Sequence, residues 1–333
     1  MANSIRNIKP LGFPWETEDP FLFCVYHLDH YPKGNENMGP AASLEGRNLG
    51  NDFSPNAQGW RMYHGHTVPG FPYHPHRGFE TITIVNKGFC DHSDSLGAAG
   101  RFGQGDVQWM TAGRGVQHSE MFPLLKKDKE NPLELFQIWL NLPKAAKMVD
   151  PHFRMLWNEE IPQIKKDGVS LRIIAGTYNG NKAPSPAPDS WAAIDENHVA
   201  VWNLHLQPGA SFTFPEIPES VNRTLYFYEG DSCVIDSTRI KPDNAIGLNA
   251  KEVEVTNNGL ETAHFLMLQG KPIDEPVAKY GPFVMNTDQE IQQAMQEYRL
   301  TQFGGWPWPH PDNVHDREKG RFAKYPDGTL VEK

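Results

Sequence analysis

Glycine and proline punctuate this chain so often that long helices have little room. In 333 residues there are 29 Gly and 28 Pro, and between them lie short runs of β-branched and aromatic residues. That spacing predicts strands joined by turns at roughly 8–12-residue intervals, the pattern of an all-β sandwich or barrel. A first set of strand signals is Phe21–Tyr26, Glu80–Val85, Val107–Met110, Leu133–Leu142 and Ser170–Ala175. A break at about 143–168, with a short helical stretch Pro143–Met148, interrupts the pattern, and Val199–Leu206, Ser211–Phe214, Arg223–Glu229 and His264–Leu268 form a second set. At roughly 150 residues per domain the length accommodates two β-rich domains, divided here as 1–145 and 146–333. The residues 32–59 read as a long surface loop and the Gly-rich stretch 97–105 as a turn. One clear helix is expected over 288–299, opened by Thr287 and Glu290 as a capping box. Beyond Gly304 the polar tail to Lys333 reads as extended over the surface.

Composition narrows the function classes. The formal charge of −10 argues against a direct nucleic-acid binder, which needs a net basic surface to displace counterions. Cys24, Cys90 and Cys233 are an odd number, far apart and without a C-x-x-C, so neither a disulfide framework nor a thiolate zinc site is indicated. The apolar run nearest the N-terminus, Phe21–Tyr26, is too short for a signal core or a membrane span. A soluble, cytoplasmic protein is the expectation.

Chemistry concentrates in Pro72-Tyr-His74-Pro-His76-Arg-Gly-Phe-Glu80. In a strand, residues i and i+2 project from one face, so His74 and His76 present two imidazoles side by side. Some forty residues on, His118-Ser-Glu120 repeats the spacing. Two such pairs facing into one barrel would supply three neutral nitrogens and one carboxylate, leaving up to two octahedral positions for water, substrate or dioxygen. A donor set without thiolates fits Fe(II), Mn(II), Ni(II) or Zn(II). His64-Gly-His66 has the same spacing but lies outside a strand pattern, and reads as a pair of loop histidines. Glu80 is four and six residues from His76 and His74, and is assigned to hydrogen bonding around the ligands.

Five ordered motifs together resemble the pirin family of the cupin superfamily. They are His74-Pro-His76-Arg-Gly-Phe-Glu80-Thr, Asp91-His-Ser-Asp-Ser95, Gly105 to Gly115, His118-Ser-Glu120-Met and Gln137 to Pro143. The resemblance is dense over about 70–150 and looser from the N-terminus to about 300. It implies a bicupin, two antiparallel jelly-roll-like β-barrels with metal in the N-terminal one only. The family's ligands fall on His74, His76, His118 and Glu120, and its metal is usually iron. The position of Glu80, a ligand in the general cupin pattern, is not one in pirins. In the second half no His-x-His occurs, and His198, His205 and His264 stand isolated.

Some pirin-like proteins resemble quercetin 2,3-dioxygenases, which open the central ring of a flavonol and release carbon monoxide. On that reading the substrates are a small phenol and dioxygen, and Glu120 is ligand or general base. Phe71, Tyr73, Phe79, Trp109 and Trp139 could line a flat pocket for a polyphenol, and Arg77 could assist substrate binding. The alternative is a metal- or redox-sensing regulator that contacts a protein partner, with the metal as a switch.

Overall fold

The computed structural model describes residues 4–54 and 56–333. It is nearly all antiparallel β-structure and divides into two compact units. One unit comprises residues 4–25, Ile138–Asn141 and Glu159–Asp274; the other comprises Tyr26–Gln137, Leu142–Asn158 and Glu275–Lys333. The first residues of the chain therefore group with its second half, and the last sixty or so with the metal-motif half, where the sequence reading drew a single line at 145/146.

In the first unit, a seven-stranded sheet runs in the order Ile5–Pro10, Asn244–Leu248, Asn222–Glu229, Ala263–Gly270, Ala200–Leu206, Val169–Ala175, Gln163–Lys166. A four-stranded sheet of Ser211–Phe214, Val253–Asn257, Cys233–Ile235 and Thr238–Ile240 accompanies it. Inward residues of both sheets, among them Trp202, Leu204, Phe212, Phe214, Phe227 and Phe265, share one core.

The second unit holds most of a five-stranded sheet, His152–Leu156, Val107–Thr111, Phe79–Lys87, Asn131–Asn141 and Phe21–Tyr31. Its six-stranded sheet is ordered Leu330–Glu332, Phe322–Lys324, Ala99–Gly103, Phe89–Asp94, Val116–Met121, Gly70–His76. Val85, Phe102, Phe122, Leu135 and Phe153 pack between them. The helix occupies Asp288–Thr301, two residues longer than expected, with the Thr287–Glu290 capping box formed in both directions. Cys24, Cys90 and Cys233 are buried free thiols. Among the described residues no helix is long and apolar enough to cross a membrane.

Two expectations are corrected. The stretch 97–105 contains a fully buried strand, Ala99–Gly103, because its glycines serve close approach as well as turning. A Cβ on Gly100 would lie 2.8 Å from the Phe322 carbonyl oxygen, and one on Gly103 would lie 2.1 Å from that of Gly88. Space left at Gly100 admits the tail, which is not merely draped on the surface. Phe322–Lys324 pairs antiparallel with Ala99–Gly103, and Phe322 and Ala323 are buried. Arg101, fully buried, binds both Asp91 oxygens at 2.7 and 2.8 Å and donates to the carbonyls of His315, Asp316 and Lys319. Among the described residues of the long connection through 32–59 there is no named strand, but the residues that follow it, Trp60, Met62, Tyr63 and Val68, are buried.

Arg101→Ala leaves the Asp91 carboxylate buried beside tail carbonyls that have lost their donor. We expect it to cost about 3–5 kcal/mol, read as a lowered denaturation midpoint, and to expose the chain beyond 304 to proteolysis. Unchanged stability and protease resistance would show that the tail is held by other contacts.

Candidate metal centre

The strand Gly70–His76 pairs antiparallel with Val116–Met121, and its register sets His74 directly opposite His118, with Phe71 opposite Glu120. A β-bulge falls between Phe71 and His74. The ring centroids of His74 and His76 are 4.8 Å apart, those of His74 and His118 4.5 Å, and those of His76 and His118 4.8 Å. One nitrogen from each of the three lies within 4.8 Å of the others, and among the described residues no other group of three or more His, Cys, Asp or Glu side chains gathers in this way.

These imidazoles are kept neutral. Burial, reinforced by their mutual proximity, holds His76 and His118 well below the usual histidine range. Burial lowers His74 to about 4, against a partly compensating bond to the Pro72 carbonyl. A carbonyl only accepts, so His74 carries its proton on Nδ1, 2.9 Å from Pro72 O, and keeps the Nε2 lone pair free of a proton. His118 is fully buried and neither ring nitrogen has a hydrogen-bond partner. Buried polar atoms are rarely left so, and three convergent lone pairs fit a cation.

Glu120 lies at the margin of this group, with Oε2 3.8 Å from His118 Nε2. Thr83 Oγ1 donates to its Oε1 at 2.8 Å and Gln137 Nε2 to its Oε2 at 2.9 Å. Burial raises the carboxyl above its ordinary range, partly offset by these bonds. Thr83 and Gln137 were not singled out by sequence reasoning, although Thr83 alternates with Thr81 along a β-patterned run. His92 was missed as well. Its ring is 5.6 Å from that of His118, and it sits between Gln108, which donates to Nδ1, and Asp94, which accepts from Nε2. The alternation of Cys90, His92 and Asp94 within Phe89–Asp94 was the available signal.

The other candidates separate. Glu80 accepts from Trp109 Nε1 and Thr111 Oγ1, so its observed bonds brace the neighbouring strand. Arg77 is a structural residue: it is buried, donates to the Arg114 carbonyl, pairs with Glu297 and lies over Phe303. Phe79 and Trp109 are core residues, Phe79 packing 5.0 Å from His76. Tyr73 stacks on Trp306, and Trp139 packs on Phe23. Phe71 is the aromatic that remains half-buried beside His74, at 6.3 Å. His64 and His66 are exposed, as expected of loop histidines. In the other unit His205 and His264 are not isolated: they face each other across a strand pair, rings 4.2 Å apart.

Two antiparallel β-units, one of them with a histidine cluster on facing strands, define a bicupin. Comparison with known proteins gives the family. Residues 37–140 match the Pirin domain and residues 201–304 the Pirin C-terminal cupin domain. A pirin-like protein of Solanum lycopersicum is 40% identical over 238 residues, covering 71% of this chain and 77% of that protein. Human pirin is 37% identical over 240 residues, covering 71% and 78%. The crystal structure of quercetin 2,3-dioxygenase from Acinetobacter baumannii superposes with a TM-score of 0.67 at 30% identity, covering 91% of this chain and 96% of that one. The chain belongs to the pirin family.

His118→Ala is expected to abolish metal uptake, measured by elemental analysis, while circular dichroism stays native; retained stoichiometric metal would place the ligands elsewhere. The metal-free protein should also lose stability in acid. An unfolded histidine takes up a proton near pH 6.5, whereas folded His74 resists protonation down to about 4. The unfolded chain therefore binds more protons in that window, and stability falls as pH drops from about 6.5 towards 4. Urea midpoints at pH 7 and pH 5 check this, and equal midpoints would overturn it.

Proposed function

We propose that this protein is an iron-dependent dioxygenase that opens the ring of a flavonol or related phenol, in the manner of quercetin 2,3-dioxygenase. The observation that carries the reading is the cluster of three neutral imidazoles, in which His76 and His118 are buried and His74 is half-buried, so that the His74 side is the more open one. Likeness to a solved quercetin 2,3-dioxygenase over nearly the whole chain supports it.

In this proposal His74, His76, His118 and Glu120 hold the metal. Three imidazoles and a carboxylate without thiolate suit iron, with manganese, nickel and zinc as competitors. When bound, the metal supplies a Lewis-acidic, redox-active charge that stabilises a phenolate and permits reaction with dioxygen. The chain's own residues supply the rest. The Pro72 carbonyl fixes the His74 tautomer, so its Nε2 faces the task without rearrangement. Thr83 and Gln137 restrain the Glu120 carboxylate, and burial strengthens its hold on a proton. Glu120 serves either as a lasting ligand or, once it releases the metal, as the base that accepts the proton of the phenolic hydroxyl. Buried Phe79 and Trp109 keep water from the inner side.

The test is anaerobic loading with Fe(II), then addition of air-saturated quercetin, following loss of flavonol absorbance and release of carbon monoxide. Turnover should require iron and fall at least about 100-fold in Glu120→Ala. Stoichiometric iron without turnover of quercetin or other flavonols would sink the dioxygenase reading and favour a redox-sensing role.

A further inference from the structure

His64 is exposed, yet its imidazole does not turn freely: Nδ1 lies 2.6 Å from the Gly50 carbonyl oxygen. Because a carbonyl only accepts, the ring proton is on Nδ1 and the Nε2 lone pair is an acceptor. The backbone is held too, with His64 N–H donating to Gly70 O at the start of the ligand strand. The preceding residue, Tyr63, is fully buried with φ at 57°, an uncommon conformation for an aromatic residue. Its hydroxyl donates to Asp29 Oδ2 at 2.5 Å and lies 2.8 Å from His27 Nδ1. Buried polar bonds thus hold a strained backbone that presents His64 at a set place.

That place is beside the half-buried side of the metal centre. Phe71 lies between the two histidines, its ring 5.7 Å from His64 and 6.3 Å from His74. Phe53, itself half-buried, joins the same aromatic cluster, its ring edge-to-face with His64 at 4.9 Å and tilted against Phe71 at 6.1 Å. Half-buried aromatic rings favour a planar partner, and an imidazole nitrogen that accepts favours a hydroxyl on it. A carboxylate would bring only acceptors to Nε2 and gain nothing there.

We propose that His64 is a substrate-positioning residue: its Nε2 accepts a hydrogen bond from a hydroxyl of a planar phenol lying against Phe71 and Phe53 beside His74. The assignment rests on the phenol-oxidising reading of the centre, and is tested separately from it. Quercetin and unsubstituted flavone, which has the rings without the hydroxyls, are titrated anaerobically into iron-loaded protein and followed by tryptophan quenching. His64→Ala should weaken quercetin about fivefold, the worth of one hydrogen bond, and leave flavone binding and iron content unchanged. His64→Gln, which restores an acceptor, should recover part of the loss, and His66→Ala should have no effect. Equal effects of His64→Ala on both ligands, no effect on either, or no binding of quercetin by the parent protein would each overturn the assignment. Selective loss of quercetin without catalytic turnover would uphold it while removing the dioxygenase reading. Turnover by the parent protein with unaltered quercetin binding in His64→Ala would do the reverse.

Discussion

The centre depends on one extra residue in one strand. Phe71 and His74 are separated by an odd spacing, so in an unbroken strand their side chains would project to opposite faces. The bulge between them changes this: Phe71 pairs with Glu120 and His74 with His118, so two residues on one strand oppose Ser119 alone. His74 and His76 are thereby aligned with His118, and Phe71 lies within ring contact of His74. Pro72, at the bulge, has no N–H to lose from the ladder, and its carbonyl is the group that orients His74. A single insertion thus sets the register of the ligands, the tautomer of one of them, and the aromatic at its side.

Gathering three imidazoles in a barrel interior is unfavourable for the bare protein, since each must give up water to be buried there. The interior limits the cost by keeping the rings uncharged and by giving the remaining polar groups partners. Thr83 and Gln137 take up Glu120, while Gln108 and Asp94 bracket His92. His118 is the exception, with neither nitrogen hydrogen-bonded. Burial without a partner costs the bare fold stability at this residue, a cost that binding at those lone pairs would offset.

The i, i+2 spacing in His74–His76 and His118–Glu120 was enough to bring these residues to mind, because a strand's period is two and both segments proved to be strands. The strand runs in Glu80–Val85 and Ser211–Phe214, and the capped helix, were readable for the same reason: local pattern and tertiary role agreed. Where reading failed, distant contacts decided. Ala99–Gly103 resembles a turn by composition, and only the approach of Phe322 explains why Gly100 is there. His205 and His264 are far apart in sequence and meet through the register of neighbouring strands. The bulge carries no local mark beyond Pro72, so the closeness of Phe71 and His74 was not deducible from spacing.

The match to the Pirin C-terminal cupin domain ends at residue 304, yet the chain after it is wound into the unit that carries the histidine cluster. It does so at residues alternating with the clustered histidines. Tyr73, next to His74, stacks on Trp306 and donates its N–H to the Pro311 carbonyl. Gln117, next to His118, donates to the carbonyls of Gln302 and Gly305 and accepts from the Tyr298 hydroxyl. On the adjoining strand, Asn313 bonds Ser93, and Trp308 donates to the Asp94 carbonyl. Along a strand, restraining residue i restrains the backbone from which i+1 projects to the other face. The helix and tail therefore brace the ligand strands from behind, while Arg101 and the Phe322–Lys324 strand fasten the tail's far end. Side chains that must meet a metal within a few tenths of an ångström need supports of this kind, because loosely held donors spend binding energy on being ordered. The odd-looking extension is then part of the architecture of the histidine cluster: the imidazoles come from the barrel, and their rigidity comes in part from the tail.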